Sequence, residues 1–241
     1  MKRYISVAAL CLRRCLRPLI LLLVVLFAAE TAAFWLSMRV HALEGLETVL
    51  EHSYIGLLAA AGFLLFCGWL FYIGNVFSVR QDYTLLRLSV TSLGGFFARW
   101  AAFAACFLIL WGAQTAIALW LCFLYRRFGG HTELWSAQAV LLAFYRSPFL
   151  HALLPLRDTL VWVRNAIACL ALGAGAAHMP AQKKFGGFPY LAILTVCWFR
   201  HTLGSFVLDL FLIVLGLIVT AVELTRAAAR GEEDGYAAQT P

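Results

Sequence analysis

Seven polar residues interrupt long apolar stretches of the chain, and their chemistry needs an explanation. Two are acidic, two are basic and three are amides: Glu30, Asp209, Arg164, Arg200, Asn75, Gln114 and Asn165. Ionisable side chains are costly inside a bilayer, so by default they face protein or water and carry function. Such residues either neutralise one another or line a path for a polar substrate, and the sequence leaves both interpretations open.

The four ionisable residues of this set share one depth, because each falls in the outer third of its apolar stretch. A common depth would allow opposite charges to meet. On depth alone we expect Glu30 to pair with Arg164. We expect Arg200 and Asp209, which flank the turn between the last two stretches, to form a plain ion pair.

Motifs that would indicate catalysis are missing from the sequence. A phosphate-binding loop needs a GxxxxGK[ST] pattern, and the dipeptide Gly-Lys never occurs. The six histidines form no HExxH motif and no i, i+4 pair, which predicts no metal site. Ser205 lacks the second glycine expected around an intramembrane serine nucleophile. We expect no catalytic residue, metal or cofactor on this chain, and an intramembrane enzyme stays as an alternative.

The amino-acid composition indicates whether the chain is surrounded by water or by lipid. Of the 241 residues, 63% are apolar and 13% are charged, against about 45–50% and about 25% in a soluble domain. An exterior this apolar would aggregate in water. The chain is therefore predicted to be integral to a membrane, and its net charge of +7 is better explained as an orientation signal than as a nucleic-acid-binding surface.

Six apolar stretches are candidates for spanning helices, which need about 20 residues each. They cover residues 18–38, 54–79, 98–124, 160–178, 188–201 and 204–226. Most of the Lys and Arg residues lie on the side of the N terminus, although Arg126 and Arg127 do not. The positive-inside rule then predicts that both termini are cytoplasmic.

The first 17 residues show a different pattern from the spans. Their basic residues share one side of a helix, and Ile5, Leu12 and Leu16 lie on the other. This predicts an amphipathic helix in the cytoplasmic interface, with Pro18 at the turn into the bilayer, or else an ordinary positive flank. The predicted fold is all-α and polytopic: an interfacial helix (1–17), six transmembrane helices (18–226) and a cytoplasmic tail (227–241), disordered from Gly231.

Two segments are predicted to lie on the outer side. Residues 39–53 have the pattern of a short surface helix. In residues 126–158, the apolar stretch Leu134–Tyr145 is too short to cross, and Pro148 and Pro155 prevent one continuous helix. We expect this second segment to dip into the outer leaflet or lie on it.

The inner loop 80–92 combines a ring with charges on a short amphipathic helix. Rings supply anchoring area and Arg supplies orientation, so such a helix suits docking to a soluble subunit. An ordinary loop helix on the membrane would show the same pattern. The residues available to a partner are Arg80, Gln81, Asp82, Tyr83 and Arg87.

These features together resemble the membrane subunits of bacterial ABC transporters of the ABC-2, or type V exporter, kind. The resemblance rests on the N-terminal helix, the six spans, the inner segment Tyr83-Thr84-Leu85-Leu86-Arg87-Leu88 and the outer segment Leu142-Ala143-Phe144-Tyr145-Arg146-Ser147-Pro148-Phe149-Leu150-His151. One difference is that the family's outer hairpin commonly lies between the last two spans, whereas here the large outer segment follows the third.

The resemblance implies a non-catalytic permease subunit of an ATP-driven exporter in the bacterial plasma membrane. Residues 80–92 would then be a coupling helix that inserts into a separate cytoplasmic ATPase, which binds the ATP and Mg. The chain would pair with itself or with a related permease, contact membrane lipids and bind no nucleic acid. The alternative is an accessory or scaffolding multi-pass membrane protein without transport activity.

Overall fold

The computed structural model describes residues 2–41, 45–70, 91–128, 137–156, 158–182, 193 and 205–237. Within these ranges every regular element is an α-helix. The helices are α1 (Lys2–Val40), α2 (Leu46–His52), α3 (Ile55–Leu70), α4 (Ser92–Phe128), α5 (Ala137–Arg146), α6 (Pro148–Leu153), α7 (Thr159–Gln182) and α8 (Phe206–Ala237).

Four of these helices, α1, α4, α7 and α8, are long and apolar enough to cross a membrane. A fifth candidate span is formed if α2 and α3, which are bent by 47° at the break between them, are taken together. The predicted all-helical architecture is therefore confirmed for the described residues, and the four to five candidate spans indicate a multi-pass membrane protein. The predicted span 188–201 lies outside the described residues, apart from residue 193.

The predicted turn at Pro18 is wrong, because α1 continues through this residue as one helix of 39 residues. A proline inside a helix removes one backbone hydrogen bond, yet α1 continues on both sides of Pro18. Val7 and Cys11 pack against Ala98 and Ala102 of α4. The N-terminal segment is thus a continuation of the first span that lies along α4.

Other helix ends also differ from the prediction. Helix α8 runs to Ala237, so the part of the predicted disordered tail that the structure describes is helical. Helix α4 begins earlier than predicted, and its first turn is capped by Thr91, whose Oγ1 accepts a hydrogen bond from the Gly94 N–H at 3.3 Å. The outer segment does form two short helices, α5 and α6, with Pro148 at the start of the second.

The directions of the long helices follow from contacts at their two ends. Helices α1 and α4 run parallel, since Tyr4 Oη lies 3.3 Å from Thr91 Oγ1 at their starts and the Trp35 and Phe128 rings meet at 5.2 Å near their ends. Helix α7 runs antiparallel to α4, since Trp100 Nε1 donates to the Leu170 backbone oxygen at 2.9 Å while the later Trp111 contacts the earlier Trp162, with ring centroids 5.3 Å apart. Helices α7 and α8 run parallel, because an ion pair joins them near their starts while Ala177 and Ala227 share a cluster with Phe96 further along.

Small residues allow the central helices to approach closely. A Cβ atom added to Gly173 of α7 would lie 2.7 Å from the backbone nitrogen of Ala104 in α4. Close backbone approach through small residues is the usual way in which membrane helices associate. Helix α3 packs on α1 and α4 instead through larger side chains, including Phe66, whose ring meets that of Phe107 edge-on at 5.3 Å.

Candidate functional site

Arg164 and Asp209 form a buried ion pair at the start of α7 and α8. The Arg164 Nη1 donates to Asp209 Oδ1 at 2.6 Å, and the two side chains are 1% and 2% exposed. Asp209 lies in the first turn of α8, where backbone N–H groups have no partner within the helix and favour a negative charge.

The rest of the Arg164 guanidinium is also hydrogen-bonded. Its Nη2 donates to Asn165 Oδ1 at 2.7 Å and to the backbone oxygen of Ala152 at 3.2 Å. The same oxygen accepts a hydrogen bond from Asn165 Nδ2 at 2.8 Å. Ala152 belongs to the last turn of α6, where carbonyl groups lack partners within the helix. The guanidinium thus caps α6 while it neutralises Asp209.

Further polar contacts hold the outer segment in place. Trp162 Nε1 donates to the backbone oxygen of Pro155 at 2.8 Å, and His151 Nε2 lies 2.9 Å from Asp158 Oδ2. On the other side, Arg146 of α5 is 3.7 Å from Glu47 of α2. We name α5, α6 and residues 154–156 the outer cap, after the placement predicted from the sequence for residues 126–158. Its polar contacts to α7 make it part of the folded core.

Glu30 and Gln114 form a second buried polar contact, between α1 and α4. Gln114 Nε2 lies 2.7 Å from both carboxylate oxygens of Glu30. Glu30 is 0% exposed, and within the described ranges it forms no ion pair with Lys, Arg or His. This contact therefore places a carboxylate inside the helix bundle with an amide, and not a cation, as its partner.

Several buried polar atoms near this contact along the two helices have unused hydrogen-bonding capacity. Thr31 follows Glu30 directly, and Trp111 lies one turn before Gln114 on α4. Among the described residues, no hydrogen-bond partner reaches Gln114 Oε1, Thr31 Oγ1 or Trp111 Nε1. A buried polar group without a partner is destabilising.

The structure brings the predicted polar residues together in other combinations than expected. The predicted pairing of Glu30 with Arg164 is wrong, because Glu30 contacts Gln114 and Arg164 contacts Asp209. The predicted partner of Asp209, Arg200, lies outside the described residues, as do Asn75 and the coupling residues Arg80, Gln81, Asp82, Tyr83 and Arg87.

Sequence reasoning missed one buried acidic residue, Glu223 of α8. Its side chain is almost fully buried and lies 3.0 Å from Arg226 Nη1, one turn later. The sequence did contain a signal for this contact, because Glu223 lies inside the predicted last span and Arg226 follows three positions later on the same helix face. No group of three or more His, Cys, Asp or Glu side chains that could hold a metal ion occurs in the described part of the chain.

Comparison with protein-family models, with curated proteins and with solved structures finds no match to this chain.

Proposed function

We propose that this chain is a non-catalytic permease subunit of an ATP-driven exporter in a bacterial plasma membrane. ATP and Mg bind to a separate cytoplasmic ATPase, and a second copy of this chain or a related permease completes the membrane part. The observation that carries the proposal is the Glu30–Gln114 contact between α1 and α4. It places incompletely satisfied polar groups inside the bundle, where an apolar contact would be more stable.

The proposal includes six spans with both termini in the cytoplasm. Helices α7 and α8 both begin at the Arg164–Asp209 pair and run in the same direction. The chain therefore has to cross back before α8 begins, and we assign that crossing to residues 188–201. With α1, α3, α4, α7 and α8, this gives an even number of crossings, which puts the two ends of the chain on one side.

The coupling part of the proposal concerns residues 80–92, which precede α4. Thr91 is the last residue before α4, and its hydroxyl also contacts Tyr4 near the start of α1. A displacement of the loop by a docked ATPase is thus passed directly to two parallel helices. The same two helices carry Glu30 and Gln114. This connection supports a path from ATP hydrolysis to the buried polar contact.

The test replaces Tyr83 and Arg87 together by Ala. Truncating interface anchors of this type typically costs more than about 1 kcal/mol, so we expect the double variant to lose copurification of the proposed ATPase subunit. The ATPase activity of the reconstituted complex should fall with it. Thermal unfolding should stay unchanged, because the spans are stabilised by packing within the bilayer.

A matched control replaces Tyr145 and Arg146 by Ala. These residues present the same two side-chain types on the opposite end of the protein, with the Tyr145 ring exposed. The control variant should still copurify with the proposed ATPase subunit. Normal copurification and ATPase activity in the Tyr83 and Arg87 variant would contradict the coupling assignment.

A scaffolding function is the second candidate, and the Arg164 network favours it. This network leaves the guanidinium satisfied by Asp209, Asn165 and Ala152 and ties the outer cap to two spans. A protein that only presents a rigid surface needs such a contact and no ATPase. Purification of the chain with a membrane complex that lacks an ATPase would favour this function over transport.

A further inference from the structure

An apolar groove opens between α1 and α3 on the exterior of the helix bundle. Its volume is about 510 Å³, which falls within the range of about 300–1,000 Å³ typical of small-ligand sites. Helix α1 contributes Arg17, Leu21, Leu22 and Val25, and helix α3 contributes Leu65 and Trp69. The groove is independent of the Glu30–Gln114 contact and of the proposed transport function.

The shape of the groove follows from one close contact between the two helices. A Cβ atom at Gly62 would lie 2.6 Å from Leu26 Cδ1, so α1 and α3 touch at this level. Leu26 directly follows Val25, the last α1 residue of the groove. The contact therefore closes one end. From Val25 to Arg17 the groove extends along α1 for about 12 Å, at about 1.5 Å per residue.

The open end of the groove carries a positive charge. Arg17 is exposed, forms no ion pair with any residue that the structure describes, and is the only charged side chain among the described lining residues. Trp69 lies at the same end and is half-exposed. Trp side chains are enriched at headgroup depth in membrane proteins. The groove thus has a cationic, interfacial mouth and an apolar interior that is closed at its far end.

We propose that this groove binds one acyl chain of an anionic phospholipid, with the lipid phosphate at Arg17. A phosphate accepts hydrogen bonds from a guanidinium in a fork geometry that matches its oxygens. The apolar interior fits a hydrocarbon chain. A peptide segment would leave backbone polar groups without partners against these side chains.

The test measures lipid binding to the purified full-length chain by native mass spectrometry. The two probes are phosphatidylglycerol and phosphatidylcholine with identical acyl chains, so that only the headgroup charge differs. One basic residue near an anionic surface contributes about 1 kcal/mol, so we expect the first phosphatidylglycerol to bind about fivefold more tightly than phosphatidylcholine. Equal affinities of the wild-type chain for the two lipids would overturn the proposal.

Three variants separate the groove from general surface charge. Arg17→Gln should abolish the headgroup preference. Arg17→Lys should retain it, because the two lipids share the phosphate and the preference between them depends on the positive charge at this position. Arg13→Gln is the matched control, since Arg13 is an exposed basic residue one turn away on α1 that does not line the groove. If Arg13→Gln lowers the preference as much as Arg17→Gln, the effect is one of surface charge and the proposed site is excluded.

A cross-linking measurement identifies the occupant without relying on charge. A photoreactive phenylalanine analogue at the exposed position 65 of α3 should form an adduct with the mass of one phospholipid in native membranes. Val25→Trp, which fills the groove from an exposed position, should suppress this adduct. A cross-link to a second copy of the chain, or to another part of the same chain, would show a protein occupant and overturn the proposal.

Discussion

Arg164 and Asp209 lie 45 positions apart in sequence, yet the guanidinium nitrogen and the carboxylate oxygen are separated by 2.6 Å. They join two parallel helices near their starts and bring the end of α6 into the same network. Removing two charges from water is expensive, and the cost is recovered only when the geometry and the remaining hydrogen bonds are good. Here the guanidinium has three different partners, so the pair is a structural joint between α7, α8 and the end of α6.

Replacing either member of this pair alone by Ala should strongly destabilise the protein. The remaining partner would be a buried charge without compensation, which costs about 3–5 kcal/mol. The double variant Arg164→Met with Asp209→Leu should recover most of that loss. The measurement is thermal unfolding in detergent. The control is Glu47→Ala, which breaks the ion pair between Glu47 and Arg146, whose side chains are 36% and 65% exposed. It should change the free energy of unfolding by only about 0–1 kcal/mol.

Glu30 should respond differently to removal and to conservative replacement. Glu30→Ala leaves Gln114 Nε2 without its acceptor, with an expected cost of about 1–3 kcal/mol. Glu30→Gln keeps an acceptor oxygen of the same reach, so folding should be retained. If the chain couples to an ATPase as proposed, loss of the buried negative charge should lower the ATPase activity of that complex. The matched change at an exposed acid, Glu51→Gln, should affect neither quantity. Full ATPase activity in Glu30→Gln would assign Glu30 a structural role only.

Gly173 should not tolerate a side chain. A Cβ atom there meets the Ala104 backbone at 2.7 Å, and backbone cannot move aside without separating α4 from α7. We expect Gly173→Val to lower stability by about 1–3 kcal/mol. Gly112→Ala is the control, because a Cβ atom at Gly112 of α4 has no neighbour within 4 Å. Loss of stability in Gly112→Ala alone would contradict the packing argument.

The orientation of the chain is testable by single-cysteine labelling. In a background without the seven native cysteines, an impermeant thiol reagent applied to intact cells should label a Cys at position 131 and leave one at position 183 unlabelled. The first position belongs to the segment predicted outside and the second to a predicted inner segment. The reverse pattern of labelling would invert the topology.

Local sequence signals were sufficient to predict the positions of several helices. Helix α7 spans Thr159–Gln182 where apolar composition predicted residues 160–178, and Pro148 divides the outer cap as expected. The continuation of α1 through Pro18 was not predictable in the same way. A proline is a strong local stop signal, and the contacts of Val7 and Cys11 with α4 that outweigh it involve residues about 90 positions away.

At the candidate site, residue type correctly indicated which polar side chains are buried between apolar helices. The predicted depth of these side chains in the membrane did not indicate which of them are partners. Position along a span gives the distance from the membrane surface, but it leaves the rotation of each helix and its neighbours undefined. Glu30 and Arg164 have similar predicted depths, and they belong to helices whose polar side chains point to different partners. The hydrogen bond from Arg164 to the Ala152 backbone has no side-chain signal in the sequence at all.

The separation of 45 positions between Arg164 and Asp209 also has a consequence for biogenesis. At a synthesis rate of about 5–20 residues per second, the ribosome adds Asp209 about 2–9 seconds after Arg164. The neutral partners of the guanidinium are present by then, because Ala152 is synthesised before Arg164 and Asn165 directly after it. A nascent chain that stops before α8 therefore carries an uncompensated positive charge, and translation of the last helix is the step that balances it.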